Sequence, residues 1–431
     1  MALHLGRKTN FASKIKLLRN FDPMIPFAPP RIDERTIQAV TEVLRSGWIT
    51  TGPRTKEFEK RLAAYCEVKR VIALNSWTNA SELVLRWFGV GPGDEVIVPA
   101  YTYCATANIV KHVGAKPVMV DVLDDFTIDP EAVRSAMNPH TKCIIPVDIG
   151  GVPARVAEIV KVAEDTCAWF SPAVNLRVGG TNPQMRLGRA LVLSDAAHSF
   201  GARIGSKPVG GQADITGFSF HAVKNLTTAE GGALAFALPP PFKMEELYAW
   251  FNTMSLHGQS KDALAKTTPG AWRYDVEAPG WKCNMTDLQA AIGMVELERY
   301  DSETLPRRKA ICERYNAAFA NDPRFIQPLL KDNERESSYH LYMLRVNEAT
   351  EDQRDAIITA IAAKQVSVNV HFIPLPMLGH YKGVGYRIKD YPNTYMHYSR
   401  EISLPVYFDL TDAQVDTVIA AVLAAVKEVM A

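Results

Sequence analysis

From residue 71 to residue 147 the chain alternates short apolar runs with stretches of helical periodicity. The runs at 71–74, 95–99, 116–120 and 143–147 are apolar almost throughout, so both faces of each strand need a cover, and the stretches at 78–88, 102–113 and 131–137 supply helices to provide it. A strand wetted on one face would alternate polar and apolar residues. The pattern therefore predicts an α/β fold, a parallel sheet with helices on both sides. Upstream, Ile32, Ile37, Val40, Val43 and Leu44 recur at helical spacing until Ser46-Gly47 stops them; residues 48–53 read as a loop and 55–65 as an amphipathic helix.

After Pro239-Pro240-Pro241 the rhythm changes. Helices at 285–300 and 305–321 run into one another, followed by a strand at 339–346, a helix at 351–364, a strand at 366–371 and a last helix from Thr411. This is an α+β pattern. With 431 residues, two or three domains are expected. We divide the chain into a basic arm (1–26), a large domain (27–290) and a smaller C-terminal domain (291–431).

Arg7, Lys8, Lys14, Lys16 and Arg19 charge the arm, but no apolar run follows of the kind a signal peptide or membrane span needs, so it reads as solvated. The formal net charge is only +1 and nothing in the balance calls for nucleic acid or a membrane. Six cysteines lie without a CxxC pair or metal-ligand spacing. Reduced thiols in a cytoplasm account for them, and no metal site is expected.

Three elements carry chemistry. The first is Asp214-Ile-Thr-Gly-Phe-Ser219-Phe-His221-Ala-Val-Lys224-Asn225, ending in Glu230-Gly231-Gly232. A lysine between an apolar strand and a glycine pair suits Schiff-base chemistry if walls lower its pKa from about 10.4 toward neutral; alone, such a lysine is usually a surface residue. The second is Leu191-Val-Leu-Ser-Asp195-Ala-Ala-His198, which delivers a carboxylate at the carboxyl end of a strand, where open α/β sheets bind ligands. Asp195 would equally cap a following helix. The third is Asn75-Ser76-Trp77-Thr78, a polar turn into a helix whose free N–H groups form an anion site, or merely a capped helix start.

Taken in order, these elements and several further blocks resemble the DegT/DnrJ/EryC1/StrS family of sugar aminotransferases. The blocks are Gly47-Trp-Ile-Thr-Thr-Gly-Pro53, Pro99-Ala-Tyr-Thr-Tyr-Cys-Ala-Thr106, Gly280-Trp-Lys-Cys-Asn-Met-Thr-Asp287 and Tyr339-His-Leu-Tyr342. The resemblance runs from about Phe27 to the C-terminus. It implies the fold-type-I architecture of pyridoxal 5'-phosphate (PLP) enzymes, with a mainly parallel seven-stranded sheet in the large domain.

The resemblance further implies that Lys224 holds PLP as a Schiff base, that Asp195 pairs with the pyridine nitrogen, and that His198 lies near the phenolic oxygen. Tyr103 matches the aromatic that stacks on the ring. Ser219, Thr78 and the Trp77 backbone match the phosphate cup, and Thr51 and His371 match substrate-binding positions. Lys282 falls in a loop that reaches the neighbouring subunit's phosphate, implying a homodimer with shared active sites.

Two departures and one unexplained stretch accompany the match. Trp77 replaces a glycine, and Lys282-Cys283-Asn284 replaces an Asn-Tyr-Arg pattern. The stretch 165–189 is longer than the expected link.

The implied reaction moves the amino group of L-glutamate to a UDP- or dTDP-linked 4-keto-6-deoxy sugar in the cytoplasm, with Lys224 as anchor and proton carrier. Sugar dehydratases on this fold carry His at the Lys224 position. Dehydration, 3-keto amination and a catalytically silent homologue are the alternatives.

Overall fold

The computed structural model describes residues 24–260 and 272–431. The basic residues of the arm lie outside them.

Seven strands form the main sheet: β1 (Arg70–Leu74), β2 (Glu95–Pro99), β3 (Lys116–Val120), β4 (Thr141–Ile144), β5 (Leu191–Asp195), β6 (Ile215–Ser219) and β7 (Gly232–Phe236). Their order is β1-β7-β6-β5-β4-β2-β3. The pairs from β6 through β3 are parallel, while β7 runs against both β1 and β6. The sheet is thus mainly parallel, as the continuous apolar runs require.

Helices α1 (Glu34–Ser46) and α2 (Pro53–Tyr65) precede the sheet, and α3 (Trp77–Trp87), α4 (Cys104–His112), α5 (Pro130–Ala136) and α6 (Val156–Asp165) connect its strands. Asp33 caps α1 by accepting from the Thr36 N–H, and Gly47 closes it in the left-handed conformation that glycine adopts without strain. A short helix, α7 (Pro183–Leu187), lies in the unexplained stretch, whose Gln184 side chain donates to the Phe88 carbonyl at 2.7 Å and so ties it to the end of α3. Helix α8 (Met244–Met254) follows β7.

The chain passes to the second unit through α9 (Asp287–Glu298), one π-helical turn over 300–304, and α10 (Leu305–Phe319). The 290/291 division falls inside α9. A separate antiparallel sheet of β8 (Phe325–Ile326), β9 (Tyr342–Val346) and β10 (Glu401–Leu404) then packs with α10, α11 (Glu351–Ala363) and α12 (Asp412–Val429) around its own apolar core.

The strand expected at 366–371 is not formed. Its donors go to three different partners: Ser367 N–H to the Ile25 carbonyl, Asn369 N–H to the Ser403 carbonyl and His371 N–H to the Glu401 carboxyl. No single edge runs alongside it, so only isolated bridges result. Among the described residues no helix is long and apolar enough to cross a membrane.

Candidate active site

The carboxyl ends of β5 and β6 and the start of α3 converge on one cavity of about 380 Å³. Trp77, Thr78, Tyr103, Asp195, His198, Ser219, Lys224 and His371 all line it. The carboxyl ends of the main sheet's strands bring Trp77, Tyr103, Asp195 and Ser219 to one edge of the sheet, and His371 reaches the same cavity from the second unit.

Asp195 ends β5 and is buried. Its Oδ2 accepts from Thr106 Oγ1 at 2.9 Å and its Oδ1 from the Ala197 N–H at 3.2 Å. The chain after it turns and forms no helix, so the carboxylate has no helix to cap. Burial pushes Asp195 up to about 6, against these hydrogen bonds and the nearby Lys224 charge.

Lys224 sits in the turn beyond β6, its backbone N–H donating to the His221 carbonyl at 2.9 Å. Removal from water lowers its amine to about 8, and Asp195 opposes that shift. An uncharged, nucleophilic amine is therefore accessible near neutral pH.

His198 Nδ1 accepts the Gly150 N–H at 3.2 Å. Burial and the Lys224 charge hold the ring neutral. Its proton consequently resides on Nε2, making that nitrogen a hydrogen-bond donor.

At α3, Ser76 accepts from the Asn79 N–H, while the Trp77 and Thr78 N–H groups have no carbonyl one turn earlier inside the helix. Here the Trp77 substitution finds its explanation. The indole is buried with the large-domain core, leaving the backbone N–H at the helix start. That start lies tight against β7: a Cβ on Gly232 would approach the Trp77 nitrogen to 2.4 Å, so only glycine fits.

The donor set suits a flat, anionic, pyridine-type cofactor. The helix start, Thr78 and Ser219 can hold a phosphate, Asp195 a ring N–H, and Tyr103 a ring face. Tyr103 is exposed, its ring 5.4 Å from that of Phe372, which also lines the cavity.

Two expected positions lie elsewhere. Lys282 Nζ donates to Asn284 Oδ1, Asn284 Nδ2 donates to Thr51 Oγ1 at 2.6 Å, and Thr51 donates to the Met285 carbonyl at 2.5 Å. Neither Thr51 nor Lys282 lines the cavity of its own chain. Thr106, His340 and Phe372 are contributors given no role from sequence, although Thr106 and His340 stand in the quoted blocks. His340 Nδ1 lies 2.8 Å from Asn225 Oδ1, its ring 4.4 Å from that of His198.

Residues 30–170 and 188–423 match the model of the DegT/DnrJ/EryC1/StrS aminotransferase family. The unmatched gap lies within the stretch 165–189. The spore coat polysaccharide biosynthesis protein SpsC of Bacillus subtilis is 39% identical over 408 residues, covering 94% of this chain and 97% of that protein. A structure assigned as a sugar aminotransferase of Streptococcus pneumoniae, in its pyridoxamine phosphate form, superposes with a TM-score of 0.89 at 44% identity, covering 94% of this chain and all of that one. It is also known in a PLP form. Helicobacter pylori PseC, an aminotransferase involved in the biosynthesis of pseudoaminic acid, has a TM-score of 0.80 at 26% identity, covering 94% of this chain and 100% of that one.

Proposed function

The chain belongs to the DegT/DnrJ/EryC1/StrS aminotransferase family and is a PLP-dependent sugar aminotransferase, and we propose that it carries the amino group of L-glutamate to a UDP- or dTDP-linked 4-keto-6-deoxy sugar. The observation that carries this reading is the meeting of the Lys224 amine, the Asp195 carboxylate and the α3 start in one cavity.

When bound, PLP supplies a carbonyl carbon that captures amines and a cationic ring that withdraws electrons from the substrate carbon. The protein does the rest. Lys224 Nζ anchors the cofactor, and once displaced by substrate it takes up and returns a proton as general base and acid. Asp195 keeps the proton on the ring nitrogen. His198 donates its Nε2–H toward the phenolic oxygen, Ser219 and Thr78 hold the phosphate with the α3 N–H groups, and Tyr103 covers the ring. An aminotransferase needs the amine of Lys224 in both half-reactions, which favours amination over dehydration.

Thr51 and Lys282 share one hydrogen-bonded network away from their own cavity. We assign both to the partner's site in a homodimer, Lys282 to the phosphate and Thr51 to the substrate. The setting is the cytoplasm, where nucleotide sugars for surface polysaccharides are made; the part of SpsC in polysaccharide biosynthesis and that of PseC in the biosynthesis of pseudoaminic acid support that substrate class.

The test is to incubate the pyridoxamine phosphate form with UDP-, dTDP- and GDP-linked 4-keto-6-deoxy sugars and read products by mass spectrometry. A UDP- or dTDP-linked sugar gaining an amine supports the proposal; loss of water from the sugar without amination would contradict it.

A further inference from the structure

His371 lines the cavity with its ring stacked on Phe27 at 5.3 Å. Behind it lies a chain of groups from the second sheet. His371 Nδ1 is 2.9 Å from Ser403 Oγ, and Ser403 Oγ is 2.5 Å from Glu401 Oε1. The other carboxyl oxygen, Oε2, accepts the His371 backbone N–H at 3.0 Å. Glu401 therefore grips the residue at its backbone and, through Ser403, at its ring. Both Glu401 and Ser403 are fully buried on β10.

We propose that Glu401 and Ser403 are positioning residues for His371, and that the Glu401 carboxyl, acting through the Ser403 hydroxyl, determines whether His371 offers an N–H or a nitrogen lone pair to a hydroxyl of the bound sugar. The inference rests on the reading that the cavity binds a sugar.

A hydroxyl has one proton to give, so the chain has two senses. With Glu401 protonated, its O–H donates to Ser403, Ser403 donates to Nδ1, and Nε2 carries the ring proton. When the chain loses one proton, Nε2 releases it to water; the Ser403 proton moves to Nδ1 and the Glu401 proton moves to Ser403 Oγ. The ring stays neutral, the new charge resides on the Glu401 carboxylate, and Nε2 becomes an acceptor.

Imidazolium formation is suppressed at this position, since burial and the Lys224 charge hold His371 down at about 3. Burial raises Glu401 to about 8. The charged groups around it are Arg354 on α11, which donates to the Glu401 backbone carbonyl at 3.1 Å, and Arg345, paired with it across β9 and β10; the Tyr101 hydroxyl also faces it. Both arginines favour the carboxylate.

The experiment is a long-range proton–nitrogen correlation spectrum of holoenzyme labelled with nitrogen-15 histidine, with the His371 signals assigned by their loss in His371→Asn, recorded from about pH 6 to about pH 10. The expected result is a swap of the ring proton from Nε2 to Nδ1 as pH rises, without an imidazolium signal. Glu401→Gln, whose amide donates to Ser403 at every pH, fixes the Nε2–H form, and Ser403→Ala abolishes the swap. In parallel, the wild-type KM for the keto sugar changes about threefold to tenfold across this range with kcat steady, and Glu401→Gln flattens that dependence.

One wild-type tautomer at all pH values, or a swap that persists in Glu401→Gln, overturns the proposal. The wild-type spectrum decides the point even if a variant does not fold. It is read without turnover, so its failure is distinct from failure of the sugar panel.

Discussion

Thr106 Oγ1 donates to Asp195 Oδ2 at 2.9 Å, joining the first turn of α4 to the carboxyl end of β5 at a point closed to solvent. This bond opposes the burial that raises Asp195 to about 6. Thr106→Val removes the donor while nearly keeping the volume. Asp195 then rises further, and the acid limb of the kcat/KM profile moves to higher pH. A loss of about tenfold in kcat/KM near neutrality is expected, with Thr106→Ser close to wild type. A pH–rate profile of both variants checks this.

In the proposed reaction the Lys224 amine, lowered to about 8, sets how fast apoenzyme captures PLP covalently, because only the neutral amine attacks. The capture rate should rise with pH up to about 8 and level off above it. Since Asp195 holds this value up, Asp195→Asn should move the inflection to lower pH. Rapid-mixing absorbance measures both.

Asp287 performs a helix cap from far away. Its carboxylate accepts from the Gly52 and Thr55 N–H groups at 2.8 and 2.9 Å, from Thr55 Oγ1 at 2.7 Å and from the Arg54 N–H at 3.1 Å. Gly52 itself has no side chain with which to cap α2. Asp287→Ala leaves these donors unpaired and should cost about 2–3 kcal/mol of stability in urea unfolding, with Asp287→Asn costing less.

The shared-site assignment makes a complementation prediction. Lys224→Ala and Lys282→Glu are each expected to be inactive, yet hybrid dimers contain one site with both native lysines. Partial activity after confirmed subunit exchange is the expected outcome. No rescue would assign Lys282 to its own subunit or to no site.

The main sheet was legible because it follows from local signals, the continuous apolar runs; Lys224 and Asp195 were ambiguous one at a time and were singled out by the ordered blocks of the family resemblance, and the structure sets both on one cavity. The second sheet was not legible: strand β10 spans only Glu401–Leu404 and joins residues brought together by long-range pairing. Glu401 and Ser403 carry no local signal of a role in the sequence, and only the fold sets them behind His371. The supposed strand at 366–371 carried the right apolar residues, but its partners are scattered, and sequence patterning reports propensity without reporting which edge is available. Trp77 stands where the family resemblance expects a glycine. Only the structure shows that its indole turns into the core.

In the proposed reaction Lys224 is the covalent anchor and proton carrier of the site. Borohydride reduction of the PLP holoenzyme followed by peptide mapping tests this most directly. The expected result is a pyridoxyl mass on Lys224, absent from Lys224→Ala, which still folds and binds pyridoxamine phosphate but does not transaminate. A pyridoxyl group mapped to another lysine, or full activity in Lys224→Ala, would contradict it.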